Sequence, residues 1–599
     1  MTDVVDRFGA RFALRAPERL KPFNRAGLLS AVDVHVARRL CELCGMEDPL
    51  VLLAVAFAVR GPRLGHVFVD LETVRETATT ELEEPVDLDA MDWPAASDWI
   101  AAVADSPLVM RGETVASSDR PLRLVGTRLY LDRYWAEEVR VAEDLRGLAS
   151  AAEIVVDEAR LDAGVRRLFG DQAAGRQARA ARAGAQRRFS VVAGGPGTGK
   201  TTTVARLLAL LFEQSAGTLP LVGLAAPTGK AAARLEEAVH EEARGLELDA
   251  RVRDALLTLQ ATTLHRMLGR TPSSNSRFRH HRANRLPHDV VIVDETSMVS
   301  LSMMARLVEA VRADARLVLV GDPGQLTSVE AGAVLGDIVG PEPSDAIVVL
   351  DHVHRFGGQI AQLAEAVRAG RSDVALDVLR RTGGNVDWIE ADPAEDPASP
   401  AIREPAVAAA RAVIDAARAG DAVGALQALG AFRVLCAHRR GSHGAITWMN
   451  RIESWLAVEI PGLAHERGWY AGRPLLVTEN DYGLRLYNGD TGVAVADGDA
   501  DGRLSAAFER RGDVVKFRPT RLSAVDTVYA MTIHKAQGSQ FDTAAVLLPP
   551  SSSRILTREL LYTAITRAKE KLVLVGTEDA IKTAVERPVA RASGLRDRL

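Results

Sequence analysis

Residues 189–214 read FSVVAGGPGTGKTTTVARLLALLFEQ, and this stretch decides the fold of the chain around it. An apolar run, typical of a buried strand, leads into glycine-rich residues and then into an amphipathic helix. Gly194, Gly199, Lys200 and Thr201 fit the spacing G-x-x-x-x-G-K-[ST] of a phosphate-binding loop. In such a loop, backbone N–H groups surround phosphate oxygens at the positive end of a helix. The stretch therefore predicts an α/β domain that binds a nucleoside triphosphate.

The residues of this loop have separate expected contacts. Lys200 is expected to reach the β and γ phosphates, and the Thr201 hydroxyl is expected to ligate Mg²⁺. The other predicted nucleotide-binding residues are Gly194, Gly195, Pro196, Gly197, Thr198, Gly199 and Thr202.

Short apolar runs that end in polar or glycine residues and lead into helices extend the same pattern. They are LVGLAAPT (221–228), DVVIVDE (289–295), ARLVLVGD (315–322), TAAVLLP (543–549) and KLVLVG (571–576). Strands that alternate with helices predict parallel sheets covered by helices. The alternation occurs in two separate parts of the chain.

A phosphate-binding loop needs an acidic partner on a neighbouring strand. Asp294 is the expected Mg²⁺ ligand, and Glu295 is the expected general base for the attacking water. Asp322 is the rival acid, but Pro323 and Gly324 follow it, so we expect a turn there. This turn would direct Gln325 to the phosphate end of the site.

An NTPase that does mechanical work also needs a positive charge from a second domain, because hydrolysis must be coupled to domain closure. Arg355, in LDHVHRFGG, and Arg567, in LLYTAITRAK, have a suitable sequence context. Each is a candidate to stabilise the transferred phosphoryl group across a cleft.

Polynucleotide contacts are expected from hydroxyl, amide and basic groups at the ends of strands. Lysine is rare in this chain, yet Lys200, Lys230 and Lys535 all lie in motif-like strings. The predicted DNA-binding residues are Thr228, Gly229, Lys230, Arg234, Thr263, His265, Arg266, Thr532, His534, Lys535 and Gln537.

Composition limits the class of protein. The 599 residues carry 74 Lys and Arg against 79 Asp and Glu, a net charge of −5, so any polyanion site must be a local patch. The longest apolar run, PLVLLAVAFAV (49–59), is too short to span a bilayer, and the N-terminus has no signal-peptide pattern. Three cysteines favour a reducing compartment, and we expect Cys41 and Cys44 to be buried core thiols. These features predict a cytoplasmic protein without membrane contact.

The pattern changes along the chain suggest three domains. Residues 1–145 have helical periodicity without catalytic motifs, 146–345 form the domain with the phosphate-binding loop, and 346–599 form a second α/β domain. A basic, turn-rich insertion at about 271–289 predicts a projecting hairpin, and strand-like pieces at about 472–525 predict a small inserted β-barrel. The Ala-rich segment 385–430 is interpreted as a linker that runs into helices.

Several motifs together resemble a known family. In chain order, GGPGTGKTTT, APTGKAAARL, TTLHRMLG, VVIVDETSM, GDPGQL, HRFGG, AMTIHKAQGSQFD and LLYTAITRAK are similar to the motifs of superfamily one helicases. LCAHRRGSHGAITWMN and GRPLLVTENDYGLRLYNGDTGV are most similar to the RecD family, the alpha subunits of RecBCD (exonuclease V). The resemblance covers the chain from about Gln177 to the C-terminus, and the first 145 residues match loosely.

This resemblance implies an α/β fold with two RecA-like P-loop motor domains, an N-terminal helical domain that docks on a partner, and an SH3-like β-barrel in the second motor domain. It implies ATP and Mg²⁺ as cofactors and 5′ to 3′ translocation on single-stranded DNA, starting from duplex ends. Gln177 lies where the family has an adenine-reading glutamine, although Arg176 replaces the usual aromatic residue, and Gln172 and Gln186 remain alternatives.

The implied partners are RecB-like and RecC-like subunits in a complex for double-strand break repair and homologous recombination. No lysine lies two residues after an Asp or Glu, so the carboxylate-x-Lys element of RecB-type nucleases is missing and the nuclease centre is expected on a partner. Two alternatives stay open. In the first, the chain is a stand-alone RecD-like helicase. In the second, it is a regulatory subunit in which ATP acts as a switch.

Overall fold

The computed structural model describes the chain except for residues 1–11, 81–86, 89, 115–118, 216, 271–276, 329, 341–344, 352–357, 396–399, 461–462, 464–467, 482, 498–502 and 511. The described residues form four sheets, two of them fully parallel and covered by helices. This architecture confirms the predicted α/β fold class.

The N-terminal region combines helices with a small sheet. Its elements are α1 (Lys21–Arg25), α2 (Ala31–Leu43), α3 (Pro49–Arg63), β1 (Phe68–Asp70), α4 (Val74–Thr77), α5 (Ala96–Asp105), β2 (Val109–Arg111), β3 (Leu122–Val125), β4 (Arg128–Leu131) and α6 (Asp132–Ala149). Helix α3 lies at the centre of the core because nearly every side is apolar. The helical character is confirmed. The sheet, ordered β1-β4-β3-β2, was not predicted because strands of three or four residues are too short for a clear alternation.

The first parallel sheet follows the phosphate-binding stretch. Its elements are α7 (Glu158–Phe169), α8 (Arg176–Gln186), β5 (Phe189–Gly194), α9 (Lys200–Gln214), β6 (Val222–Ala226), α10 (Gly229–Gly245), α11 (Ala250–Thr258), β7 (Ala261–Thr263), α12 (Leu264–Leu268), β8 (Val290–Val293), α13 (Leu301–Ala310), β9 (Arg316–Gly321), α14 (Val334–Val339) and β10 (Ile347–Leu350). The strand order is β10-β5-β9-β8-β6-β7. Strands β5, β8 and β9 are buried on both faces, as their continuous apolar runs predict. The carboxyl ends of these strands carry the predicted site residues.

The second parallel sheet and the insertion occupy the rest of the chain. Their elements are α15 (Gly358–Arg368), α16 (Ser372–Leu379), β11 (Val386–Ile389), α17 (Pro400–Arg418), α18 (Ala422–Ala431), β12 (Phe432–Cys436), α19 (Ala445–Glu459), β13 (Pro474–Val477), β14 (Thr491–Ala496), β15 (Leu504–Arg510), β16 (Asp513–Phe517), β17 (Val525–Thr527), β18 (Ala530–Thr532), β19 (Phe541–Leu547), α20 (Arg558–Ile565), β20 (Ala568–Val575), α21 (Glu578–Glu586) and α22 (Leu595–Arg598). The parallel order is β11-β20-β19-β12-β18.

The predicted insertion is a five-stranded antiparallel sheet of order β16-β15-β14-β13-β17. Among the described residues its strand order is linear, so SH3-like closure into a barrel stays a prediction. Of the hairpin expected at 271–289, residues 277–289 are described. They form two isolated bridges, Arg270 with Phe278 and His281 with Asn284, rather than a regular ladder.

Two sequence interpretations are wrong. Segment 385–430 is not mainly a linker, because helices α17 and α18 occupy most of it and bury alanines such as Ala410 and Ala425. The alanines pack closely against the second sheet and the insertion, so low side-chain volume here reflects close helix packing. Cys41 is buried, but Cys44 is exposed because it follows the last turn of α2.

The C-terminal residues contact the N-terminal region and the first parallel sheet. The Ala592 carbonyl accepts a 2.7 Å hydrogen bond from the Val67 N–H, and Leu595 is fully buried in the core shared with the first parallel sheet.

Helix α6 crosses the predicted boundary at residue 145 and packs along α13. The proposed domain borders therefore stay approximate predictions.

Candidate functional site

The phosphate-binding loop connects β5 to α9 with the expected local geometry. Gly197 and Gly199 have φ of +79° and +81°, a region that other residues rarely adopt. The Thr198 hydroxyl donates to the Gly195 carbonyl at 2.9 Å. The Lys200 ammonium donates to the carbonyls of Gly194 and Gly195 at 2.7 and 2.9 Å. The lysine is thus held directly over the loop whose phosphate contacts it is predicted to complete.

Gln177 contacts this loop from the first turn of α8. Its amide donates to the Thr198 carbonyl at 3.0 Å, and a Cβ on Gly199 would lie 2.3 Å from the same nitrogen. By contrast, the Gln186 amide donates to Glu158 at the other end of α8. The structure therefore brings the side chain of Gln177, and not that of Gln186, to the loop.

Asp294 and Glu295 follow β8, next to the loop. Burial, reinforced by the negative charge of Glu295, raises the pKa of Asp294 well above its usual range, and Lys200 opposes this shift. Glu295 has φ of +50°. Arg485 is the only other non-glycine residue with positive φ in the described part of the chain. Such a backbone costs about 1–3 kcal/mol and is found mostly at functional sites.

Asp322 and Gln325 form a buried turn at the end of β9. The Gln325 amide donates to the Asp322 carboxylate at 3.0 Å, and the Leu326 N–H donates to the Thr563 hydroxyl at 2.9 Å. Gln325 is therefore held within this turn, and the turn itself is attached to α20 of the second sheet.

Tyr562 is a residue that sequence reasoning missed. A Cβ on Gly195 would lie 2.7 Å from its hydroxyl, and the phenol also contacts Asp322. Burial and the Asp322 charge raise the pKa of Tyr562 far above its usual range, so the phenol stays neutral. Its place in LLYTAITRAK was visible in the sequence, but nothing there indicated that helix α20 faces the loop.

Arg567 lies just after α20 and is only 3% exposed. Its guanidinium donates to the Thr563 carbonyl at 2.9 Å, the Ser539 carbonyl at 3.1 Å and the Thr566 hydroxyl at 3.2 Å. Burial lowers the pKa of Arg567, and the carboxylate of Glu295 partly offsets this effect. The second sheet thus brings a buried positive charge to the acid that follows β8. Arg355 lies outside the described residues.

Three predicted DNA-binding threonines share one local role. Thr228 follows β6, and Thr263 and Thr532 are the last residues of β7 and β18. Each hydroxyl accepts a backbone N–H three residues later, at 3.2 to 3.3 Å. Among the other predicted residues, Arg234, His265, Arg266 and Lys535 are exposed, whereas Gly229 is buried and His534 and Gln537 are half-buried. The hydroxyls therefore shape turns from which the exposed basic side chains project.

Three of the predicted DNA-binding residues also make contacts to other parts of the chain. The Gln537 amide donates to the Leu326 carbonyl at 2.9 Å. A Cβ on Gly229 would lie 2.3 Å from the Tyr487 ring of the insertion. The Lys230 ammonium donates to the Gly489 carbonyl at 2.8 Å and to the Ser539 hydroxyl at 2.7 Å.

No helix in the described part of the chain has the length and apolar character needed to cross a membrane.

The two predicted DNA-binding histidines have different surroundings. Burial lowers the pKa of His534, and the charge of Arg591 contributes. The His265 ring packs against Phe278 with ring centroids 5.9 Å apart, which places the 277–289 segment beside this candidate DNA residue.

Comparisons with known proteins identify the family of this chain. Residues 25–130 match the N-terminal domain of RecBCD enzyme subunit RecD, residues 172–391 match an AAA domain, and residues 527–575 match the UvrD-like helicase C-terminal domain. The RecBCD enzyme subunit RecD of Mycolicibacterium smegmatis is 51% identical, and the alignment covers 96% of this chain and 98% of that protein.

Two further matches are more distant. The ATP-dependent RecD2 DNA helicase of Deinococcus radiodurans is 31% identical over 69% of this chain and 50% of its own length. The solved structure of the Pif1 helicase from Candida albicans is 15% identical, with a TM-score of 0.36, over 68% of this chain and 96% of that one. The family resemblance seen in the motifs is confirmed by the full-length match, and the chain belongs to the RecD family of ATP-dependent DNA helicases.

Proposed function

We propose that this chain is the 5′ to 3′ motor subunit of a RecBCD-type helicase–nuclease that acts on duplex ends in double-strand break repair and homologous recombination. Residues 146–345 and 346–599 act as the two motor domains, and ATP binds between them. The observation that carries the proposal is the position of Arg567 and Tyr562, which approach Glu295 and Gly195 from the second sheet.

The proposed ATP site uses residues from both motor domains. Glu295 accepts a proton from the water that attacks the γ phosphorus, while Lys200 and Arg567 stabilise the charge on the transferred group. Gln177 is the proposed adenine contact. Gln325 lies in a turn attached to α20. We therefore assign it the role of coupling the presence or loss of the γ phosphate to the position of the second domain.

Mg²⁺ fits the donors beside the loop. The Thr201 hydroxyl and the Asp294 carboxylate are oxygen donors of the kind this ion prefers, and a nearby divalent charge would offset the burial that raises the pKa of Asp294. When bound, the ion neutralises charge on the β and γ phosphates.

We propose that single-stranded DNA follows the exposed basic residues at the carboxyl ends of the strands. Arg266→Ala and Lys535→Ala are each expected to weaken DNA binding for all sequences and to reduce the slope of log K against log salt by about 0.7, because each removes about one phosphate contact. A salt titration of single-strand affinity measures this, with the exposed Lys582→Ala as the matched control. An unchanged slope in both variants would contradict the proposed track.

Partner docking is assigned to residues 1–145. Helix α2 exposes Val32, Val36 and Leu43, at 58%, 39% and 65%, on one side of its surface, and exposed apolar side chains grouped on one helix face favour protein contacts. RecB-like and RecC-like subunits are the proposed partners, with the nuclease centre on one of them. Action on chromosomal DNA ends places the proposed complex in the cytoplasm.

DNA unwinding by the full chain, alone and with RecB-like and RecC-like subunits, tests this function. We expect unwinding of duplexes that carry a 5′ single-stranded tail. Unwinding from a 3′ tail alone would contradict the proposed polarity. Strong unwinding without partners would favour a stand-alone helicase, whereas ATP binding without any unwinding would favour a regulatory subunit.

A further inference from the structure

Lys230 lies where three parts of the molecule meet. It belongs to the first turn of α10, beside the first parallel sheet. Its ammonium donates to the Gly489 carbonyl of the insertion at 2.8 Å and to the Ser539 hydroxyl of the second motor domain at 2.7 Å. Gly489 has φ of +95°, a backbone conformation that favours glycine.

Ser539 connects this lysine to Arg567. The serine is 5% exposed, its hydroxyl accepts from Lys230, and its carbonyl accepts from the Arg567 guanidinium at 3.1 Å. The other two hydrogen bonds of Arg567 go to Thr563 and Thr566, at the end of its own helix. Ser539 is therefore the contact through which a neighbouring loop fixes the direction of the guanidinium.

The charges around Lys230 support a structural rather than a solvent-facing position. Burial lowers the pKa of Lys230 to about 7, and the positive charges of Arg234 and Arg433 also disfavour the ammonium, whereas Asp490 favours it. Lys230 is half-buried, so its hydrogen-bond acceptors replace much of the stabilisation that solvent would give to its charge.

We propose that Lys230 and Ser539 are positioning residues that hold Arg567 in its place at the ATP site and make that place depend on the approach of the two motor domains. The proposal rests on the proposed function, in which Arg567 stabilises the transferred phosphoryl group. Since the Lys230 contact comes from the first domain and the Arg567 contact is made within the second, separation of the domains breaks the first contact. The loop that carries Ser539 then loses its hydrogen bond from Lys230 of the first domain.

This role differs from a DNA phosphate contact at Lys230. A phosphate ligand contributes to DNA affinity and to its salt dependence, and it acts mainly on the amount of DNA needed for full activity. A positioning residue for Arg567 instead changes kcat for ATP hydrolysis at saturating DNA and ATP, and it leaves the affinity for DNA unchanged.

Lys230→Met and Ser539→Ala test the proposal in the full chain. Each is expected to lower kcat of DNA-stimulated ATP hydrolysis about tenfold, because a misplacement of about 1 Å can cost about 100-fold and Arg567 keeps its hydrogen bonds to Thr563 and Thr566. The KM for ATP, the Kd for single-stranded DNA and its salt slope are expected to stay within about twofold of wild type. Lys582→Met and Ser454→Ala, on exposed parts of α21 and α19, are the matched controls and keep the wild-type kcat.

The decisive measurement combines these changes with Arg567→Lys, which keeps the positive charge but removes the planar guanidinium group and its several N–H donors. If Lys230 acts through Arg567, Lys230→Met lowers kcat about tenfold in the wild-type background and less than about twofold in the Arg567→Lys background. Equal losses in both backgrounds overturn the proposal. So does a Lys230→Met variant with weakened DNA binding, a smaller salt slope and a normal kcat at saturating DNA.

The proposed function can fail separately. Wild-type turnover in Arg567→Lys and Arg567→Ala would remove Arg567 from the ATP site, whatever Lys230 does. A reduced turnover in both, together with normal kcat in Lys230→Met and Ser539→Ala, would keep the ATP site and reject the positioning role. Thermal unfolding of each variant identifies any loss that comes from misfolding.

Discussion

Lys200→Gln is expected to lower kcat for ATP hydrolysis by about 10³-fold or more, because it removes the positive charge that lies over the phosphate-binding loop. The Lys200 ammonium is held by the carbonyls of Gly194 and Gly195 at 2.7 and 2.9 Å, directly beside the predicted phosphate position. Its charge also favours the ionised form of Asp294. Glutamine is nearly as long but neutral, so both effects are lost together.

Steady-state ATP hydrolysis with saturating single-stranded DNA measures this result. The fold is expected to survive because Lys200 lies at the first position of α9, where the apolar face of the helix is formed by later residues. Lys582→Gln, on the exposed surface of α21, is the control and should keep full turnover. Wild-type turnover in Lys200→Gln would show that the loop is not the catalytic ATP site.

The sequence predicted those features that depend on local pattern. Strands β5, β8 and β9 are continuous apolar runs, so their burial in a parallel sheet follows from composition. The loop after β5 has glycines at the positions that the motif fixes, and one of them, Gly199, has a positive φ that favours glycine. Asp294 and Glu295 are predicted site residues because they directly follow β8, a strand of the same sheet.

The features that escaped prediction depend on contacts between distant parts of the chain. Lys230 resembles a phosphate ligand in its own string, but its neighbours Gly489 and Ser539 are 259 and 309 residues away. Tyr562 and Gly195 meet only because the two sheets face each other. Hydropathy and spacing describe one element at a time, so they carry no signal for these pairs.

Glu295 is the predicted general base, and its positive φ has no signal in the sequence. Glu295→Gln is expected to lower kcat about 10³-fold while ATP binding persists, because the amide keeps the shape of the side chain but cannot accept the proton of the attacking water. Turnover and equilibrium ATP binding, measured on the same preparation, separate the two effects. Equal losses of binding and turnover would mean that Glu295 contacts the nucleotide rather than the water.

Glu295→Gly separates catalysis from backbone strain at the same position. Glycine adopts φ of +50° without the penalty of about 1–3 kcal/mol that a side chain incurs, and it also removes the charge beside Asp294. We therefore expect Glu295→Gly to be as inactive as Glu295→Gln and at least as stable as wild type in thermal unfolding. Asp294 then lacks the negative neighbour that raises its pKa. A variant that is both inactive and clearly destabilised would show that the glutamate supports the fold, whereas a stable, inactive variant shows that the strained backbone is kept because catalysis requires this carboxylate.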